Sequence, residues 1–128
     1  MFTYNSKCLM SKKILIIDDD RDILELIKFI LEEKGFEVVA SLSANILDSV
    51  LEINPDLILL DDWLEDLNGH ELCRMLKASP ATAHIPVILI SASIGLAQLS
   101  EDCFADSYIE KPFDIDLLDL RINELLEG

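Results

Sequence analysis

The feature that most restricts this chain is a set of short apolar runs with no polar interruption. Residues 12–17 (KKILII), 57–60 (LILL) and 87–90 (VILI) each hold four consecutive Ile, Leu or Val residues. A strand with one wet face alternates apolar and polar side chains, whereas an unbroken run belongs to a strand covered on both faces. Shorter strands are predicted at residues 36–40 and around Tyr108 and Ile109. The intervening segments have helical spacing. In residues 21–34, Ile23, Leu24, Ile27, Ile30 and Leu31 fall at i, i+1, i+4, i+7 and i+8, and Gly35 then terminates the stretch. Ser43 is placed to cap a helix carrying Leu47, Val50 and Leu51, halted by Asn54 and Pro55. Asn68 and Gly69 open another with Leu72, Met75 and Leu76, and a weaker one follows around residues 94–101. Asp114 caps a last helix bearing Ile115, Leu118, Ile122 and Leu125. Five strands alternating with five helices predict an α/β fold of three layers, a doubly wound five-stranded parallel sheet built from right-handed crossovers.

In such a sheet the functional site lies beyond the carboxyl ends of the strands, where the strand order reverses. The residues at those ends are therefore the ones to read. The first strand is followed by Asp18, Asp19 and Asp20, the third by Asp61 and Asp62, the fourth by Ser91 and the fifth by Lys111. Acidic residues are common here, with 25 Asp+Glu against 10 Lys+Arg and a formal charge of −15. Most are expected to be solvated surface, including Asp116, Asp119, Glu124 and Glu127 of the last helix. Two acidic clusters placed directly after buried strands are a different matter. Two carboxylates ~4 Å apart repel by roughly 4 kcal/mol at an effective dielectric of 20, so three that converge call for a cation. Oxygen ligands with positions left for water favour Mg²⁺. A lysine ammonium and a serine hydroxyl nearby would bind phosphate oxygens, and a carboxylate beside Mg²⁺ can attack phosphorus to form an acyl phosphate.

Other classes are disfavoured. The net charge argues against direct contact with nucleic-acid backbones or anionic membranes. No apolar run approaches the roughly 18 residues of a membrane span, and residues 1–11 show no secretory pattern. Cys8, Cys73 and Cys103 are odd in number and widely spaced, which points to free, mostly buried thiols in a cytoplasmic protein. The four glycines are too scattered for a phosphate-cradling loop. His70 and His84 are isolated and read as ordinary surface residues. Residues 1–11 are expected to be an unstructured extension, with Met10 an alternative start, and residues 12–128 to form one domain.

Taken together, ILIIDDD at 14–20, PDLILLD at 55–61, NGHEL at 68–72, PVILISA at 86–92 and YIEKPF at 108–113 resemble the receiver domain of two-component response regulators. The resemblance runs over about residues 12–127 in the family's order, and implies a flavodoxin-like fold. It implies that a sensor histidine kinase or histidine phosphotransfer protein passes a phosphoryl group to an aspartate, with Mg²⁺ as cofactor. Asp61 matches the phosphoacceptor, and Asp62 is the weaker candidate beside it. Asp18 and Asp19 match the acidic pair, Asp19 as the more direct metal ligand and Asp18 partly through water. The Trp63 backbone carbonyl falls at a third protein ligand, Ser91 at the switch hydroxyl and Lys111 at the lysine. Pro112 implies a cis peptide, and Tyr108 stands where an aromatic residue turns inward on phosphorylation. Three positions depart from the pattern. Glu65 replaces a usual proline, Phe104 a usual glycine, and Trp63 is bulky where side chains tune hydrolysis of the acyl phosphate.

The reading that results is a stand-alone, Mg²⁺-dependent phosphoryl switch, not a turnover enzyme. It is expected to signal to a second protein through the face of the fourth helix, fifth strand and fifth helix. Two other readings stay open. One is a degenerate receiver that binds partners without phosphorylation. The other is a phosphohydrolase of the haloacid-dehalogenase type, because Asp18-x-Asp20 mimics its nucleophile motif. Against the latter, Asp22 stands where Thr or Val is expected and no further acidic motif follows Lys111.

Overall fold

The unbroken apolar runs become the strands of one parallel sheet. In the computed structural model, which describes residues 11–64, 67–92 and 95–127, β1 is Lys13–Ile17, β2 Glu37–Ser41, β3 Leu57–Asp61, β6 Val87–Ser91 and β7 Ser107–Glu110. The expectations for Met10, Cys8, Glu65, Ile94 and all of the N-terminal extension except Ser11 fall outside the described residues. The strand order is β2-β1-β3-β6-β7, and every pairing within this sheet is parallel. From β1 the chain steps outward to β2, then crosses back to place β3 on the other side of β1. The order therefore reverses between β1 and β3, and the crevice above their carboxyl ends is where this topology puts a ligand.

Every residue of β3 and β6 is buried, with side chains divided between two cores. Leu15, Ile17, Ile58, Leu60, Val87 and Leu89 face one side, where they meet Val50, Cys73, Leu76 and Leu96. Ile14, Ile16, Leu57, Leu59, Ile88 and Ile90 face the other and meet Leu24, Ile27, Leu31, Leu118 and Ile122. The second set of partners lies on α1 (Arg21–Glu33) and α5 (Ile115–Glu127). The first includes α3 (Gly69–Ala78) and α4 (Leu96–Asp102). Cys73 and Cys103 are both buried and free.

Two local features depart from the sequence pattern. Residues around Leu47 form a 3-10 helix, Ala44–Ser49, and only one turn, α2 (Val50–Ile53), is α-helical. The spacing explains it, since Ala44, Leu47 and Val50 recur every third residue and that is the period of the tighter helix. Ser43 caps the segment, its Oγ accepting the Asn45 N–H at 3.1 Å. The second feature is a two-stranded antiparallel ribbon, β4 (Trp63–Leu64) with β5 (Leu67–Asn68), between β3 and α3. Two residues per strand carry no period that a sequence pattern could register.

Candidate functional site

Each group at the carboxyl rim is placed by the end of a strand. Asp18 follows β1, Asp61 ends β3, Ser91 ends β6 and Lys111 follows β7. Asp18, Asp61 and Ser91 are buried, while Asp19 is exposed. The Lys111 ammonium sits between two carboxylates, 3.2 Å from Asp18 Oδ2 and 3.1 Å from Asp61 Oδ1. Its aim is set by the backbone on either side. The Lys111 N–H donates to the Ser91 carbonyl at 2.9 Å, and the Lys111–Pro112 peptide is cis, as the resemblance implied. Asp19, Asp20, Asp61, Trp63, Ser91, Ala92 and Lys111 line an open cavity of about 410 Å³ above these groups.

The three successive aspartates after β1 separate into distinct tasks. Asp18 accepts the Asp20 N–H at 2.9 Å and pairs with Lys111. Asp20 caps α1, its Oδ1 accepting the N–H groups of Asp22 at 3.0 Å and Ile23 at 3.3 Å. A carboxylate at that position is also favoured by the helix dipole. Asp19 remains with Asp18 and Asp61, and one oxygen from each lies within 4.8 Å of the others. Direct ligands of one Mg²⁺ at about 2.1 Å are separated by up to about 4.2 Å, so a hard cation with some water in its shell suits this donor set. When ionised, three carboxylates face one ammonium, leaving an excess of two negative charges for a divalent ion to neutralise.

The electrostatics of Asp61 follow from this crowding. Burial holds its carboxyl up at about 6 against an ordinary 3.8, with Asp18 and Asp19 pushing the same way and Lys111 opposing them. Burial alone would lower the Lys111 pKa, but its hydrogen bonds and charge pairing with Asp61 and Asp18 raise it above the usual value.

Asp62 is turned away from the cavity, because successive strand side chains point to opposite faces. Its Oδ1 accepts the His70 N–H at 2.9 Å and meets His70 Nδ1 at 2.6 Å. This corrects the expectation for His70, which is half-buried and tied to a buried carboxylate at the start of α3; His84 is exposed. The signal was present as the acid and histidine eight residues apart, but only the return of α3 onto β3 brings them together. Asn68 holds the N-cap position of α3 without a side-chain bond, so Asp62 satisfies that helix end from β3. Gly69 permits the approach. A Cβ there would collide with the Asp61 carbonyl oxygen and lie 2.8 Å from Asp62 Cα.

The Trp63 side chain is 69% exposed at the cavity edge. Tyr108 also points outward, 39% exposed on β7. Phe104, at the position where glycine is usual, has a left-handed backbone with φ of 64°.

The response regulator receiver domain model matches residues 14–123, and the chain belongs to that family. It is 36% identical over 122 residues to the DNA-binding dual master transcriptional regulator RpaA of Synechocystis sp., covering 89% of this chain and 48% of the relative. It is 35% identical over 107 residues to the DNA-binding response regulator MtrA of Mycobacterium tuberculosis, covering 81% of this chain and 46% of that one. The chain thus spans about half the length of these relatives. Among solved structures, the receiver domain of a signal transduction histidine kinase from Syntrophus aciditrophicus superimposes with a TM-score of 0.84 at 34% identity, covering 92% of each chain. A CheY-like receiver domain protein from Methanospirillum hungatei gives 0.81 at 33% identity, covering 91% of this chain and 95% of its own. This is a receiver domain of two-component signalling, with the flavodoxin-like five-stranded fold.

Proposed function

We propose that this receiver accepts a phosphoryl group on Asp61 from a histidine kinase or a histidine phosphotransfer protein, with Mg²⁺ bound by Asp18, Asp19, Asp61 and the Trp63 carbonyl. The observation that carries the reading is Lys111 Nζ lying 3.2 Å from Asp18 and 3.1 Å from Asp61 inside an open cavity. An Asp61 oxygen attacks phosphorus while the bond from phosphorus to the donor imidazole nitrogen breaks. The electron pair stays on that nitrogen. When bound, Mg²⁺ offsets the carboxylate charge and that of the phosphoryl oxygens. Lys111 then transfers its contact from the Asp61 carboxylate to a phosphoryl oxygen, and the Ser91 hydroxyl donates to another.

The group added at Asp61 draws Ser91 and Tyr108 toward the cavity and biases the face formed by α4, β7 and α5 between two states, which a second protein reads. Direct nucleic-acid binding by this chain is disfavoured by its charge of −15. Among the described residues no helix is long and apolar enough to cross a membrane. The free buried thiols of Cys73 and Cys103 support a cytoplasmic setting. Loss of the phosphoryl group to water resets the protein, making it a switch and not a turnover enzyme. The Asp20 hydrogen bonds to α1 weigh against a phosphohydrolase, which would use Asp20 as a free acid.

The test is incubation with acetyl phosphate and Mg²⁺ followed by intact mass. One phosphoryl addition, absent in Asp61→Asn and absent with chelator, is the expected result. A label that persists in Asp61→Asn would move the acceptor, first to Asp62. A protein that takes up no label while still binding partners would be the degenerate receiver.

A further inference from the structure

A second aspartate directly after the phosphoacceptor is buried, 4% exposed, and turned away from the reaction. Charge that is out of water and unpaired costs several kcal/mol, so Asp62 must have partners. It is held on three sides. Its N–H donates to the Ile90 carbonyl at 2.8 Å, the bond that completes the last β3–β6 pair, Asp61 with Ile90. Its carbonyl accepts the Gly69 N–H at 2.8 Å. Its carboxylate takes both the main-chain N–H and the ring Nδ1 of His70, at 2.9 Å and 2.6 Å. Among the described residues, His70 is the side chain that bonds it.

These contacts close a loop. Trp63 and Leu64 lead away from β3 after Asp62, Leu67 and Asn68 lead back to it at Gly69 and His70, and Trp63 pairs with Asn68 inside that closure. Trp63 is both the bulky side chain at the cavity edge and the residue whose carbonyl is assigned to the metal. The position of that carbonyl is thus set by where Asp62 and the start of α3 meet, and the ring of His70 makes one of the three contacts at that junction.

We propose that His70 is a positioning residue for phosphoryl acceptance: through Asp62 it clamps the start of α3 to the end of β3 and so holds Trp63 and its carbonyl at the mouth of the site. The proposal rests on the phosphoryl-accepting reading. Without the ring, the Asp62 carboxylate turns to water or toward Asp61. In the first case it carries Trp63 out of place, and in the second it adds negative charge to the acidic cluster.

Trp63 is the only tryptophan of the chain, so its fluorescence reports directly on the site. The experiment compares His70→Leu, which removes the ring donor, with His70→Asn, whose Nδ2 falls at the position of the ring Nδ1. Mg²⁺ is titrated by Trp63 fluorescence, phosphoryl lifetime is followed by intact mass, and stability is measured in denaturant. His70→Leu is expected to raise the Mg²⁺ midpoint at least fivefold, with His70→Asn within twofold of wild type. A fall in stability with the Mg²⁺ midpoint and the lifetime both within twofold overturns the proposal, as does failure of His70→Asn to restore them. If His70→Leu does not fold, Asp62→Asn/His70→Leu leaves no buried charge stranded and is read by the same criterion. A wild-type chain that takes up no phosphoryl group would count against the underlying reading instead.

Discussion

The two rims of the sheet use the same residue types to opposite ends. At the amino rim Lys77, Asp106, Asp56 and Lys13 all have partners. Lys77 contacts Asp106 at 2.6 Å and also donates to the carbonyls of Ile85 at 2.7 Å and Ala83 at 3.2 Å. Asp106 also accepts the Val87 N–H at 2.8 Å, opening β6. Asp56 does the same for β1, accepting the Lys13 N–H at 2.7 Å, and Lys13 Nζ donates to the Ile53 carbonyl at 2.8 Å. At the carboxyl rim one ammonium serves two carboxylates with a third beside them. Matched charge at strand starts closes the fold. Unmatched charge at strand ends leaves work for a cation and a phosphoryl group, and a surplus of this kind marks functional sites.

The contrast can be broken most completely by Asp61→Asn, which is expected to abolish phosphoryl uptake in the mass assay while leaving the folded protein intact. Next comes Lys77→Met at the opposite rim. It strands Asp106 and the two carbonyls, with an expected loss of about 2 kcal/mol in denaturant unfolding and normal phosphoryl uptake.

The pH dependence sharpens the contrast further. Asp61 has a folded pKa of about 6 against 3.8 when unfolded, so the folded state holds its proton more tightly. Its contribution to stability is therefore fully present below pH 3.8 and is lost as pH rises through about 6, a loss of roughly 3 kcal/mol from the shift alone and on the order of 2 kcal/mol once solvent screening is discounted. Metal-free unfolding across this window should show the loss. Asp61→Asn or added Mg²⁺ should remove most of it.

Two smaller effects follow. Trp63→Asn should shorten the phosphoryl lifetime severalfold, because a less bulky side chain admits water; an unchanged lifetime would remove Trp63 from that role. Phe104→Gly, near the amino rim, should stabilise the protein by about 1 kcal/mol with no change in phosphoryl chemistry. The reason is that Phe104 holds a left-handed backbone with φ of 64° after α4.

Much of this organisation is legible in one dimension. Continuous apolar runs such as those of β3 and β6 can be satisfied only between two helical layers, and parallel order then carries Asp18, Asp61, Ser91 and Lys111 to one edge. The helix stops and caps at Gly35, Ser43 and Asp114 rest on local backbone geometry, which neighbouring residues determine. Where the pattern was too short or too local it failed. The two-residue ribbon β4–β5 carries no period, and the three-residue recurrence of Ala44, Leu47 and Val50 before α2 is too short to separate from α-helical spacing.

What the amino-acid order determined, then, was the alternation of buried strands with amphipathic helices and the chemistry at each strand end. What only the tertiary structure decided was the division of labour among chemically identical groups. Asp18 pairs with Lys111, Asp20 caps α1, Asp19 and Asp61 join the acidic cluster, and Asp62 turns to hold His70. The physical reason is that a carboxylate takes its role from the donors and charges within a few ångströms. For Asp61 those neighbours come from the ends of β1 and β7, distant along the chain, and for Asp62 from the start of α3, which the fold brings back onto β3.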